Sequence, residues 1–223
     1  MPEPPLILAF DTSAAQCAAA LVSDGLVLAR KSETMQTGQA ERLFPLLEEI
    51  LGMSGKAWKD ISLLAVTTGP GNFTGVRIAV SAARGLSLSL GIRAVGVTVL
   101  QALAHPHRKP VLVLLDARRG RLYAQLFADG ESEAGAELTT FEALAAREWP
   151  AGMICTGFRC RELAARTGTG AGREETLADP ADIAVCAAAS RELPREGRPA
   201  PLYLRSADAA LPADPPMTIL DDA

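Results

Sequence analysis

Short apolar runs that end at polar turns open the chain. Residues 6–10 form one run that stops at Asp11, and two further runs, 17–22 and 26–29, are separated by a turn containing Asp24-Gly25. Asp-Gly between apolar runs is a strong hairpin signal, because both central residues of such a tight turn take a positive φ. The pattern predicts that the chain begins with three β-strands.

The same plan is written a second time about a hundred residues later. Residues 111–115 form an apolar run, a turn follows at 117–120, and the run 121–128 leads to a second Asp-Gly. A shift of 105 residues superposes these landmarks, and the matching positions are Asp11 with Asp116, Ala19 with Ala124, Leu21 with Leu126, Asp24 with Asp129, and Gly25 with Gly130. Self-similarity of this kind predicts an internal duplication.

Helices and single strands follow each hairpin. In the first half, apolar spacing predicts helices at 41–51 and 76–90, the second stopped by Gly91, and strands at 63–67 and 94–97. For the second half the pattern predicts helices at 140–149, 161–166 and 183–193, a strand at 153–156, a flexible loop at 168–172 and a frayed tail beyond Pro212. Strands that alternate with helices indicate an α/β fold.

The proline-bounded stretch 105–110 is the natural boundary between the halves. We therefore assign a first domain to residues 1–103 and a second, reduced domain to residues 104–223. With 223 residues the chain is long enough for a sizeable core, and its 48% hydrophobic and 22% charged residues are typical of a globular protein. We expect a cytoplasmic protein, because neither a signal peptide nor an apolar run of about 20 residues is evident.

Charge and metal-ligand chemistry narrow the function classes. A net charge of −4 argues against this chain gripping RNA by itself, because phosphate binding depends on Lys and Arg. Four cysteines form no Cys-x-x-Cys pair, and the two histidines, His105 and His107, lie in the linker without nearby carboxylates. We predict no metal site, and no Ser/His/Asp or Cys/His catalytic set can be assembled.

The glycine-rich segment 68–77 carries the sharpest motif. Gly69 and Gly71 lie between a predicted strand and a predicted helix, where glycine permits positive φ and the helix amides suit an anion. One interpretation is phosphate binding, although no lysine follows as it does in a P-loop. The other is a tight turn required for packing.

Asp11, Thr12 and Ser13 form a second candidate at the end of the first strand. Such an aspartate can hold magnesium while hydroxyls and turn amides face phosphates, or it can bond only to its own turn. The matching turn at 116–120 is rich in arginine rather than glycine, and Arg118 has the chemistry to pair with Asp11 or with a partner's carboxylate.

Several of these segments together resemble the TsaB (YeaZ) family over about residues 6–208. The block 69–77, Gly-Pro-Gly-Asn-Phe-Thr-Gly-Val-Arg, is nearly diagnostic of that family. The other segments are Asp11-Thr12-Ser13, residues 96–98, Asp116-Ala117-Arg118 with Tyr123, and residues 201–205. One departure is Gln39, where many relatives carry histidine.

The resemblance implies a duplicated actin-like fold with mixed sheets flanked by helices. It also implies a catalytically silent relative of the TsaD ATP-binding subunit, acting as a scaffold in threonylcarbamoyladenosine modification of tRNA adenosine 37. The implied partners are a TsaD-like subunit and a TsaE-like ATPase, with a homodimer when the chain is alone and tRNA reached through the complex. A glycoprotease activity is not expected, because a metalloprotease needs ligands that are missing here.

Site residues follow from the motifs and the resemblance. We predict a degenerate or shared nucleotide site at Asp11, Thr12, Ser13, Gly69, Gly71 and Arg118, with ATP or ADP only at a partner interface. Helices 41–51 and 76–90 carry more apolar residues than one sheet face can cover, which predicts a partner-binding patch. Its members are Leu43, Phe44, Leu47, Leu51, Ala79, Ala83 and Ser87.

Two other functions remain open from the sequence. One is an active small-molecule kinase of the actin-like superfamily, which needs a second glycine-rich phosphate turn near 116–120. The other is a self-contained homodimeric binding module, which size-exclusion chromatography with and without the TsaD-like partner distinguishes from a heterodimer.

The sequence predicts that the purified chain alone binds neither zinc nor ATP tightly, because a metal-ligand set is missing and arginines fill the second turn. Metal analysis and titration calorimetry test this. Stoichiometric zinc, or a micromolar ATP affinity of the isolated chain, would contradict the prediction.

Overall fold

A five-stranded mixed sheet forms the first half of the molecule. The computed structural model describes residues 4–107, 110–128, 131–132, 135–189 and 198–204. The strand order is β3-β2-β1-β4-β5, with β1 antiparallel to β2 and parallel to β4. The strands are β1 (Leu6–Asp11), β2 (Gln16–Ser23), β3 (Leu26–Thr34), β4 (Leu63–Thr67) and β5 (Arg93–Val97).

A second mixed sheet follows the linker. Its strands run in the order β11-β10-β6-β7-β8, and β9 also pairs with β7. They are β6 (Val111–Asp116), β7 (Arg121–Ala128), β8 (Glu131–Ser132), β9 (Glu137–Thr140), β10 (Ile154–Gly157) and β11 (Gly170–Ala171). The prediction of a flexible loop at 168–172 is wrong at β11, because Gly170 and Ala171 pair in parallel with β10.

Helices and sheets alternate in five layers. Helices α1 and α2 cover the outer face of the first sheet, α3 and α6 lie between the sheets, and α4 and α5 cover the second sheet. The helices are α1 (Gln39–Ser54), α2 (Phe73–Leu90), α3 (Val99–Ala104), α4 (Phe141–Ala145), α5 (Cys160–Thr167) and α6 (Pro180–Ala189), with a 3-10 turn at Trp58–Asp60. Although α6 comes from the second half of the sequence, it packs on the first sheet.

The duplicated plan is present in the structure. Strands β6 and β7 have the bounds of β1 and β2 shifted by 105 residues. The pairing differs by one residue, since Asp11 faces Ala18 whereas Asp116 faces Leu122. The loop between the last paired residues therefore spans 117–121 in the second hairpin and 12–17 in the first, one residue fewer. The repeated Asp129-Gly130 lies outside the described residues.

The first hairpin confirms the turn predicted from Asp-Gly. Asp24 and Gly25 take φ values of 49° and 73°, and Ser23 pairs with Leu26 across them. Strand β3 extends beyond the predicted run 26–29, because residues 30–34 also pair with β2. The prediction stopped at residue 29 because these later residues of the edge strand are polar and partly exposed. Strand identity here comes from pairing with β2 rather than from hydrophobicity.

Most of the predicted partner-binding side chains are core residues. Leu43, Leu47 and Leu51 of α1, and Ala79 and Ala83 of α2, are each at most 2% exposed. Because α1 and α2 pack against each other as well as on the sheet, their wide apolar stripes are covered within the monomer. This corrects the expectation that these five residues form a surface patch. Partner binding through the remaining two, Phe44 and Ser87, stays a prediction.

A charge network ties α1 to β3 at the surface. Arg42 forms a two-pronged pair with Glu33, with both N–O distances at 2.7 Å, and also contacts Glu49 at 2.8 Å. Lys31 contacts Glu49 at 2.6 Å and Glu33 at 3.0 Å. Hydrogen bonds from Arg42, and then from Lys31, lower the pKa values of Glu33 and Glu49 to about 2.

This network predicts an acid-sensitive share of stability. Both carboxyls have a lower pKa when folded than the ordinary value of 4.5, so their contribution is complete above pH 4.5 and is lost as pH falls towards 2. Arg42→Ala should therefore lower the melting temperature at pH 7, and the difference from wild type should vanish near pH 2. Arg161→Ala, which breaks only a 3.7 Å pair with Glu174, is the control. A constant Arg42→Ala difference across this range would contradict the assignment.

Candidate functional site

A cleft of about 1350 Å³ opens between the two halves. It lies where the turns after β1 and β6 face each other, at the N-terminus of α2. The polar and aromatic residues that line it include Ser13, Asn72, Phe73, Arg77, Asp116, Arg118, Tyr123, Phe158 and Tyr203. The duplicated turns that the sequence singled out therefore meet at one place.

Asp11 lies beneath this cleft with both carboxylate oxygens engaged. Its Oδ1 accepts the Ser13 N–H at 2.8 Å and the Thr67 hydroxyl, and its Oδ2 accepts the Gln16 Nε2 at 2.7 Å. The residue is completely buried. This geometry favours the interpretation in which the aspartate stabilises its own turn over the one in which it holds magnesium.

Thr12 and Ser13 pack their backbone against the glycine-rich segment. The Thr12 hydroxyl donates to the Gly75 carbonyl at 2.7 Å, and the Asn72 N–H donates to the Ser13 carbonyl at 2.7 Å. A Cβ atom built on Gly75 would overlap the Thr12 carbonyl oxygen, and one on Gly71 would overlap the Ser13 carbonyl oxygen. Two backbone segments therefore touch where a side chain has no room.

The role of glycine differs along this segment. Gly69 takes a φ of 93°, as predicted, and precedes the cis peptide bond to Pro70. Gly71 and Gly75 do not take a positive φ, so a conformational explanation is wrong for them. What these two positions require is close approach to the turn after β1.

The second turn holds Arg118 at the opposite side of the cleft. Asp116 accepts the Arg118 N–H at 2.8 Å, and Arg118, Arg119 and Gly120 all take positive φ values between 53° and 71°. The predicted pairing of Arg118 with Asp11 is wrong, because Asp11 is buried with its oxygens already bonded. Arg118 instead lines the cleft together with Ser13 and Gly71.

An arginine that contacts two aromatic rings forms part of the rim of the cleft. The Arg77 guanidinium lies 3.8 Å from the Phe73 ring centroid, and its Nε donates to the Tyr203 hydroxyl at 2.9 Å. Sequence reasoning named these residues only as parts of motifs. The four-residue spacing of Phe73 and Arg77 on a helix is the signal that indicates their contact.

The structure also shows the surroundings of His105 and Cys17. His105 lies 3.1 Å from an Asp182 oxygen, so the statement that it has no nearby carboxylate is wrong, since α6 folds back onto α3. Burial raises the pKa of the Cys17 thiol to about 11, which keeps it protonated at neutral pH.

Within the described residues, no group of three or more His, Cys, Asp and Glu side chains is arranged to hold a metal ion. No helix of the described part is long and apolar enough to cross a membrane.

Known proteins match both the sequence and the fold. A family model described as TsaD, tRNA N6-adenosine threonylcarbamoyltransferase, matches residues 33–166. The Escherichia coli protein named tRNA threonylcarbamoyladenosine biosynthesis protein TsaB is 40% identical over 122 residues, and the Bacillus subtilis protein of that name is 35% identical over 124 residues. The chain belongs to the TsaB/YeaZ family. These two matches cover 52% and 54% of this chain and the same shares of the relatives, so the chain spans about half the length of the curated relatives it matches.

Solved YeaZ structures extend the similarity to most of the chain. YeaZ from Pseudomonas aeruginosa is 27% identical, has a TM-score of 0.73 and covers 90% of this chain and 100% of its own. A dehydratase component from Acidaminococcus fermentans and the ethanolamine utilization protein EutJ from Carboxydothermus hydrogenoformans, 10% and 13% identical with TM-scores of 0.51 and 0.52, share the fold. The duplicated actin-like α/β fold expected of a TsaB/YeaZ protein is thus confirmed.

The glycine packing generates a prediction with an internal control. Gly75→Ala should lower the free energy of unfolding by about 1–3 kcal/mol, because overpacking a close contact forces the backbone to move. Gly85 lies in the same helix with nothing within 4 Å of a built Cβ. Gly85→Ala should therefore raise stability by about 0.5–1 kcal/mol, since alanine favours helix. Urea unfolding curves measure both; equal effects would contradict the close-approach explanation.

Proposed function

We propose that this chain is a non-catalytic subunit of the machinery that makes threonylcarbamoyladenosine on tRNA, and that it pairs with a TsaD-like transferase. The names of the curated relatives place those proteins in threonylcarbamoyladenosine biosynthesis. The observation that carries the proposal is the state of Asp11. A carboxylate that binds a metal ion at this turn would need free oxygens. Here both Asp11 oxygens already accept hydrogen bonds from neighbouring residues of the chain.

The cleft supports a scaffold more than an enzyme. Its first turn is locked by backbone contacts with Gly71 and Gly75, and its second turn presents Arg118 rather than a glycine-rich amide cradle. Ser13, Gly71 and Arg118 still line the cleft, so nucleotide contact is proposed only in the assembled complex, where a partner supplies the rest of the site. ATP or ADP is then shared at the partner interface.

The outer layer of the first half is the proposed docking face. Most apolar side chains of α1 and α2 are buried in the core, but Phe44 is 46% exposed, Met53 64% and Leu88 81%. Because α1 and α2 form the layer farthest from the second sheet, the described part of the second half does not cover these residues. Exposed apolar side chains on neighbouring helices indicate an interaction surface. We propose that this face binds the TsaD-like subunit, and a second copy of the chain when it is alone.

The remaining proposed partners rest on charge for tRNA and on the family resemblance for the ATPase. With a net charge of −4, the chain is a poor phosphate binder by itself, so tRNA is expected to reach it through the complex. A TsaE-like ATPase completes the proposed assembly, which would work in the cytoplasm.

The docking face is tested with charged variants at exposed positions. Leu88→Arg and Phe44→Arg should each weaken binding to the TsaD-like subunit about 30-fold, or ~2 kcal/mol, if they lie centrally in the interface. Leu26→Arg is the comparison variant, because Leu26 is 68% exposed at the start of the edge strand β3, outside the two helices. Calorimetric titration measures the affinities, and circular dichroism checks the fold.

Two results would contradict the proposal separately. Normal affinity of both folded variants would place the interface elsewhere. Reconstituted tRNA modification that proceeds equally well without this chain, or threonylcarbamoyl transfer by this chain without its partner, would refute the role of a required but non-catalytic subunit.

A further inference from the structure

Residues 198–204, here called the strap, lie along α2 although they come from the far end of the described chain. The Leu202 N–H donates to the Thr68 carbonyl at 2.8 Å, and the Arg84 Nε donates to the Pro199 carbonyl at 2.7 Å. Arg84 meets the start of the strap and Arg77 meets its end, so the strap runs in the direction opposite to α2.

The end of the strap is held by a cluster of three side chains. The Phe73 and Tyr203 ring centroids are 5.3 Å apart, and the Arg77 guanidinium lies within 6 Å of both rings. The hydrogen bond from Arg77 to the Tyr203 hydroxyl fixes the orientation of that ring. Tyr203 is therefore the residue that fastens the strap to the first turns of α2.

These contacts are shallow compared with those of the core. Tyr203 is 49% exposed and Phe73 is 46% exposed, whereas the core leucines of α1 are nearly inaccessible. Pro199 is the one buried residue of the strap, and none of the strap residues belongs to the three core clusters. A segment held by half-solvated contacts can open without unfolding the layers beneath it.

The strap also forms a wall of the cleft. Leu202, Tyr203 and Leu204 line it beside Phe73 and Arg77. The hydrogen bond to Thr68 anchors the strap directly before the turn that contains Gly69 and Gly71. Undocking of the strap would widen the cleft and remove a support from that turn.

We propose that the strap is a displaceable closure of the cleft, with Tyr203 as its latch. In the docked state the strap holds the segment 69–75 against the turn after β1. In the released state the cleft is open beside α2, while both sheets and the helices between them stay folded. The device depends on contacts within this chain and does not require the proposed partner.

Hydrogen exchange on the intact protein tests the proposal. In the wild type, the Leu202 amide should exchange much faster than the amides of β1, because the strap opens without global unfolding. Tyr203→Ala should speed exchange of the Leu202 amide, and of the Asn72 amide that bonds Ser13, by about tenfold or more, with β6 and β7 unchanged. Mass spectrometry with residue-resolved fragmentation provides the rates.

Three variants make the measurement specific. Tyr203→Phe keeps the ring contact but loses the hydroxyl, so its effect should be smaller than that of Tyr203→Ala. Arg84→Ala breaks the other end of the strap and should speed exchange of Leu202 without touching Tyr203. Ser89→Ala, at an exposed position of the same helix outside the strap contacts and the proposed docking residues, should leave both amides unchanged.

Each contrary result bears on a stated part of the proposal. If the wild-type Leu202 amide exchanges as slowly as β1, the strap opens only when the protein unfolds and is not displaceable. If Tyr203→Ala leaves the Leu202 rate unchanged, Tyr203 is not the latch. If Leu202 responds but Asn72 does not, the strap does not support the cleft and the closure is refuted.

Discussion

The contact between two stretches of backbone, the turn after β1 and the glycine-rich start of α2, is the constraint on which the rest of the structure depends. Gly75 lies against the Thr12 carbonyl and Gly71 against the Ser13 carbonyl, with no room for a Cβ atom at either position. This contact fixes where α2 begins and how it lies on the first sheet. The proposed docking face, the cleft and the strap are all arranged around that helix.

The same contact gives the glycine-rich segment a structural role. A glycine-rich turn at a helix N-terminus can present amides to an anion, but here one of those amides, that of Asn72, donates to the Ser13 carbonyl. The Asp11 carboxylate is likewise bonded to Ser13 and Gln16, and to Thr67 of β4. Hydrogen bonds within the fold therefore engage both Asp11 and the Asn72 amide.

Segments from the second half of the chain cover part of the first half and decide which of its surfaces stay exposed. Helix α6 crosses to pack on the first sheet, and the strap follows it to α2. The first half is thereby covered on its inner face by chain from the second half, which leaves α1 and α2 as an outer layer with exposed Phe44 and Leu88.

The sequence by itself determined the features that depend on neighbours along the chain. The Asp24-Gly25 hairpin follows from the positive φ of both residues, and the repeat at 105 residues predicted β6 and β7 from β1 and β2. Only the tertiary structure decided which residues are buried and bonded. Leu47 and Ala83 lie in the core. Gly75 is required because a side chain has no room at this position, and not because of a special φ. Periodicity shows that a helix face is apolar, but which surface covers that face depends on distant segments that meet only in the folded chain.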